Sequence, residues 1–145
     1  MCEDVGDARL TLRPEPTSVG VARQFFRENR CPRQDAEQVD VALLLVSELV
    51  TNAIRHGSPP ITLKLTCGPQ HVVEVRVTDA SPELPVPGEP DIEDDHGRGL
   101  AITAVLSDDW GAEPHDEGKT VWFRLQPRSL HRLQDRAPGQ GPSLN

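Results

Sequence analysis

The sequence predicts an α+β domain: a two-layer α/β sandwich in which a mixed, mostly antiparallel sheet carries its helices on one face. Three observations point there. Apolar periodicity alternates between strand and helix spacing in the order β-α-α-β-β-loop-α-β-β. Neighbouring strands are joined by short turns, Gly68-Pro69-Gln70 and His115-Asp116-Glu117-Gly118, which favours antiparallel pairing. The longest helical segment, from Asp35 to Gly57, is apolar on more than one side over its first half, so it reads as a helix covered on both sides.

Length and composition bound the rest. The 145 residues suit one domain with a substantial core. Within them the sequence predicts a flexible start over 1–6, a domain over 7–126, and a disordered tail over 127–145 that is rich in Pro, Gly, Gln, Ser and Arg. No apolar run reaches the roughly 18–20 residues that cross a bilayer, and no signal-peptide pattern opens the chain. A soluble, cytoplasmic protein with no membrane partner is expected. The three cysteines, Cys2, Cys31 and Cys67, are odd in number and widely spaced, which suggests reduced thiols rather than a disulfide frame or a zinc site. A formal net charge of −8 argues against nucleic acid as a partner. With 3% aromatic residues and no tyrosine, a base-stacking surface is also disfavoured.

In chain order, Arg9-Leu10-Thr11-Leu12 alternates as a short strand ending at Pro14. Thr17 or Ser18 caps a helix whose buried stripe is Val19, Ala22, Phe25 and Phe26, and which ends near Asn29-Arg30. Asp35 or a neighbour starts the central helix; Val39, Ala42, Leu43, Val46, Val50, Ala53 and Ile54 form one apolar face, and Val41, Leu44 and Leu45 another. Gly57 stops it ahead of Pro59-Pro60. Ile61–Thr66 and Val72–Val77 form a hairpin that ends at Thr78-Asp79. The segment from Ala80 to His96 has no periodicity, holds Pro82, Pro85, Pro87 and Pro90 and an acidic run, and reads as a lid or binding loop. Gly97-Arg98-Gly99-Leu100 then leads into a short helix over Ala101–Leu106. A strand follows Asp108-Asp109-Trp110-Gly111, and Lys119–Leu125 is the last one. Trp110 and Trp122 read as core residues.

The polar residues that suggest chemistry lie in four places. Along the central helix Glu48, Thr51, Asn52 and Arg55 stand side by side at helical spacing. A carboxylate, an amide and a guanidinium there suit a metal and a phosphate chain, Mg²⁺ taking oxygen ligands and phosphate oxygens together. A helix whose last turns simply reach water fits the same pattern. Glu48 has the chemistry of a general base. Gly97 and Gly99 ahead of a helix would let backbone approach a phosphate, with Arg98 adding charge; there is no P-loop spacing. Asp79 at a strand end is a pure acceptor, matched to an exocyclic amino group such as that of adenine, although an aspartate capping a turn with Ser81 and Pro82 is an equally ordinary arrangement. Thr120, behind Gly118-Lys119, is by spacing alone a plain strand residue.

Taken in this order, from about Leu10 to Leu125, these pieces resemble the GHKL ATP-binding fold, of Bergerat type, and within it the small bacterial anti-sigma factor serine/threonine kinases. Ser47-Glu48-Leu49-Val50-Thr51-Asn52-Ala53-Ile54-Arg55-His56-Gly57 is similar to the family's N box. Val77-Thr78-Asp79 is similar to the start of its first glycine box, Gly97-Arg98-Gly99-Leu100 to its second, and Gly118-Lys119-Thr120-Val121-Trp122 to its last strand. The resemblance implies ATP and Mg²⁺ as cofactors. It implies that Asn52 holds the metal, that Arg55 and Leu100 belong to the nucleotide site, and that Glu48 acts as base for a protein hydroxyl. Asp79 would accept from the adenine amino group with Thr120 helping through a water, and Gly97, Arg98 and Gly99 would close over the phosphates. The implied partners are a sigma factor and an antagonist (anti-anti-sigma) protein carrying the modified serine, with a homodimer common among such kinases and a role in transcription regulation. The chain departs from the pattern after Asp79: the glycines of the first box are replaced in Ala80-Ser81-Pro82-Glu83-Leu84-Pro85. That departure motivates a second expectation, a non-catalytic module that sequesters a protein partner.

Overall fold

A computed structural model describes residues 6–31, 34–83 and 95–127. The element order is the one the periodicity predicts. Strand β1 (Gly6–Leu12) leads to α1 (Ser18–Asn29) and the long α2 (Ala36–His56). The hairpin β2 (Ile61–Cys67) and β3 (Val73–Asp79) turns through a short 3₁₀ segment at Pro69–His71. Helix α3 (Asp95–Leu106) and the hairpin β4 (Asp109–His115) and β5 (Gly118–Leu125) complete it. Of the expected flexible start, binding loop and tail, residues 1–5, 84–94 and 128–145 lie outside the described residues.

The sheet runs β1-β2-β3-β5-β4, and every pairing among these strands is antiparallel. Side-chain alternation turns one face toward the helices. Ile61, Leu63 and Leu65 of β2, Val73, Val75 and Val77 of β3, and Val121, Phe123 and Leu125 of β5 are all buried there. They meet Ala22 and Phe26 of α1 and Ala42, Leu45, Val46, Leu49, Val50 and Ala53 of α2 in one core. Leu100 of α3 joins the same core. Edge strands β1 and β4 close the sheet, and Pro114 is tolerated because β4 has no outer neighbour in the described sheet.

Local chemistry explains most boundaries. The Asp35 carboxylate accepts the Gln38 N–H at 2.8 Å and caps α2. Thr17 sits at the start of α1 without capping it, and the Ser18 hydroxyl instead donates back to the Arg13 carbonyl at 2.7 Å. Three expectations change. On the second apolar side of α2 Leu45 is fully buried and Val41 packs against the core, but Leu44 is 38% exposed, so that side is covered only in part. Trp122 is not in the core: it alternates with Val121 and Phe123 and lies on the open face of the sheet, beneath Arg124 and beside Arg76. Helix α3 begins at Asp95 rather than Ala101, so Gly97, Arg98 and Gly99 belong to the helix and do not precede it. An aspartate suits a helix start, and burial of Leu100 anchors the turn that follows it.

Candidate functional site

The last two turns of α2 carry a graded polar face. Glu48 and Thr51 are half-buried, Asn52 is buried, and Arg55 is exposed in the final turn. Ser47, one residue before Glu48, is committed to structure. It receives the Arg23 guanidinium from α1 at 2.9 Å and donates to the Leu43 carbonyl at 2.8 Å.

Two alignments bring other segments to this end. Leu106 and Asp108, where α3 finishes, share a cavity of about 210 Å³ with Glu37, Gln38 and Val41 near the start of α2 and with Leu125 and Gln126 at the end of β5. Helices α2 and α3 pack on one another, so they run antiparallel. At the rise of an α-helix, α3 runs about 16 Å from Leu106 back to Asp95, which carries its start toward the C-terminal half of α2. The start of β5 is at this end for the same reason, paired with the end of β3. Gly97, Arg98 and Gly99 are thus carried by the first turns of α3; of the three, only Gly97 falls among the initial N–H groups that have no intrahelical partner.

Asp79 ends β3 on the helix-facing side, in step with Val73, Val75 and Val77. Its carboxylate is almost fully enclosed. Ser81 N–H donates to Oδ1 at 2.7 Å and Ser58 N–H at 3.3 Å. Lys119, its register partner on β5, donates from Nζ to Oδ1 at 3.1 Å and lies 3.0 Å from Oδ2. The third ammonium direction goes to the Ser81 carbonyl at 3.2 Å. The two side chains are 2% and 4% exposed, so this is a buried ion pair closed on both sides.

Two glycines make room for it. A Cβ on Gly57 would fall 2.5 Å from Asp79 Cγ, so the end of α2 is pressed against the carboxylate. The φ of Gly57 is −99°, so close approach and not a left-handed turn explains this glycine. Gly118 combines a φ of +150° with a Cβ position 1.9 Å from the Asp79 carbonyl oxygen, which no side chain tolerates.

Thr120 does not join Asp79. The alternation that turns Lys119 inward turns Thr120 to the open face, where its hydroxyl lies 2.8 Å from that of Thr78 and 3.2 Å from His115 Nε2. The expected water-mediated help from Thr120 at a base held by Asp79 therefore has the sheet in its way. The turn-capping reading of Asp79 is realised in the Ser81 N–H bond.

The donor set fits the implied metal. Asn52 offers a neutral amide oxygen of the kind Mg²⁺ takes beside waters and phosphate oxygens, and leaves the Glu48 carboxylate one turn earlier for a proton. At the base end Asp79 has the acceptor chemistry for a purine amino group, and Lys119 already occupies it.

Residues 12–125 match the histidine kinase-like ATPase domain family, HATPase_c_2. The chain belongs to this family. An uncharacterised protein of Streptomyces coelicolor is 31% identical over 103 residues, which covers 68% of this chain and 96% of that protein. The structure of the RsbU and RsbW domains of Rv1364c from Mycobacterium tuberculosis is similar with a TM-score of 0.64 at 18% identity, covering 83% of this chain and 32% of that one. A histidine kinase domain from the Erythrobacter litoralis EL346 blue-light activated kinase gives a TM-score of 0.56 at 17% identity, covering 81% of this chain and 63% of that one. This chain therefore spans about a third of the first structure and under two thirds of the second. The family's fold is the α+β sandwich described above, and an ATPase domain implies ATP binding. Among the described residues no helix is long and apolar enough to cross a membrane.

Lys119 is the residue that the motif reading passes over. The signal for it is parity: Val121, Phe123 and Leu125 must face inward, so Lys119 does too and Thr120 does not.

Proposed function

We propose that this chain is an ATP-binding regulator of the anti-sigma type that transfers the γ-phosphoryl group of ATP to a serine or threonine hydroxyl of an antagonist protein. The observation that carries the reading is Glu48 one turn before buried Asn52, at the end of the sandwich where α3 starts and β3 meets β5. In phosphoryl transfer a protein mainly positions groups and stabilises charge. Asn52 would hold Mg²⁺, which when bound neutralises charge on the phosphates. The first turn of α3 presents N–H groups and the positive end of its dipole toward an anion. Glu48, half-buried beside Asn52, accepts the proton of the attacking hydroxyl.

Calorimetric titration with ATP, with and without Mg²⁺, tests the site. Wild-type protein should bind in a Mg²⁺-dependent way and Asn52→Ala should lose that dependence; binding indifferent to both would refute the assignment of Asn52. Glu48→Ala should bind Mg-ATP like the parent while transferring phosphate at least about a hundredfold more slowly. Undiminished transfer by that variant would remove Glu48 from the base role.

A second reading is a module that sequesters its protein partner without catalysis. It is favoured by the Lys119 ion pair on Asp79 and by Pro82 in the segment that follows. Lasting capture of the partner with no phosphate transfer in the presence of Mg-ATP is its expected signature.

A further inference from the structure

The buried pair of Asp79 and Lys119 is the ionic feature that the proposed chemistry does not use. Its geometry is complete in itself. All three N–H directions of the Lys119 ammonium have acceptors: Asp79 Oδ1 at 3.1 Å, Asp79 Oδ2 at 3.0 Å and the Ser81 carbonyl at 3.2 Å. Oδ1 also receives the N–H groups of Ser58 and Ser81. Oδ2 faces Gly57, at a spot where not even a methyl group fits. A carboxylate has about four acceptor positions, and here Lys119 takes one on each oxygen. An amino group on a base would need the position that the ammonium holds, since the others are backbone bonds or closed by the end of α2.

We propose that Lys119 is a built-in stand-in for the purine amino group: it occupies Asp79 until a base displaces it, and so sets how tightly the pocket holds ATP and whether the amino group is read. This deepens the ATP-binding reading and rests on it. Lys119 is the specificity-determining residue of the base end, in place of Thr120 on the far side of the sheet. Displacing the ammonium means separating a buried ion pair, which opposes binding, because each charge loses its partner away from water.

The full chain is titrated calorimetrically with Mg-ATP and with the Mg complex of purine riboside triphosphate, which lacks the exocyclic amino group. Wild type and Lys119→Arg, which keeps a cation on Asp79, should bind both nucleotides weakly and about equally. Lys119→Thr should bind ATP at least about tenfold tighter than wild type, a change of ~1.4 kcal/mol, and should prefer ATP over the analogue. A wild-type preference for ATP of tenfold or more would overturn the proposal, because Asp79 would already be reading the base. Equal ATP affinity in wild type and folded Lys119→Thr would overturn it while leaving ATP binding intact. Absence of binding in both proteins would overturn the ATP reading itself and this inference with it. Circular dichroism establishes whether Lys119→Thr folds; if it does not, the wild-type comparison of the two nucleotides decides alone.

Discussion

At Gly57 a side chain would be refused from two directions. A Cβ there would fall 2.5 Å from Asp79 Cγ and 2.7 Å from the Ala53 carbonyl oxygen of its own helix, although the φ of −99° is open to any residue. Gly57→Ala should therefore lower the unfolding free energy by about 1–3 kcal/mol, as over-packed sites do. Gly20, in the interior of α1, is the control: nothing lies within 4 Å of its Cβ position. Gly20→Ala should raise stability by about 0.5–1 kcal/mol, by the usual gain in helix propensity. Urea denaturation of both variants checks the pair, and a Gly57→Ala midpoint at or above wild type would contradict the contact. Residue-scale features were unevenly legible in the sequence. Glu48, Asn52 and Asp79 declare their chemistry through type and spacing. Lys119 and the role of Gly57 depend on which strand lies beside Asp79, and no local pattern states a partner 40 residues away.

At the scale of elements, the open face of the sheet has its own electrostatics. Glu74 accepts from Arg76 at 2.7 Å and from Arg124 at 3.1 Å, and both guanidinium groups lie against the Trp122 ring. Partial burial works against charge on Glu74, but the hydrogen bonds and positive charges of the two arginines outweigh it and hold its carboxyl below the ordinary value of 4.5. A carboxylate with a lowered folded value stabilises the fold above the unfolded value and loses that contribution as pH falls through the folded one. Wild-type stability should therefore decline below about pH 4.5, and Glu74→Gln should decline less steeply over the same range in denaturant titrations. Parallel slopes would dismiss the arrangement as an exposed ornament of the surface. The strands were readable because alternation is a local property. The start of α3 was not, because two glycines look like a loop until burial of Leu100 and packing on α2 extend the helix back to Asp95.

For the whole molecule, the order of elements and the single apolar face of the sheet were written in periodicity, and the family match over residues 12–125 agrees with that order. What periodicity leaves open is which ends meet. The antiparallel run of α2 and α3 carries the start of α3 toward the C-terminal half of α2, and the pairing of β3 with β5 sets Lys119 on Asp79. Long-range closure of this kind gathers residues from four separate stretches at one end of the sandwich, while the cavity of about 210 Å³ lies at the other.

One carboxylate ties three stretches of chain that are far apart in sequence. Asp79 accepts the amides of Ser58 and Ser81 and pairs with Lys119, and the Ala80 N–H returns to the Ser58 carbonyl at 2.7 Å. Such a knot opens as a unit or not at all. In native-state hydrogen exchange the amides of Ser58, Ala80 and Ser81 should therefore share one opening free energy, well above that of an ordinary surface turn. Replacing Asp79 with alanine should release all three together, so the corner that precedes β2 and the corner that follows β3 behave as one piece of the protein.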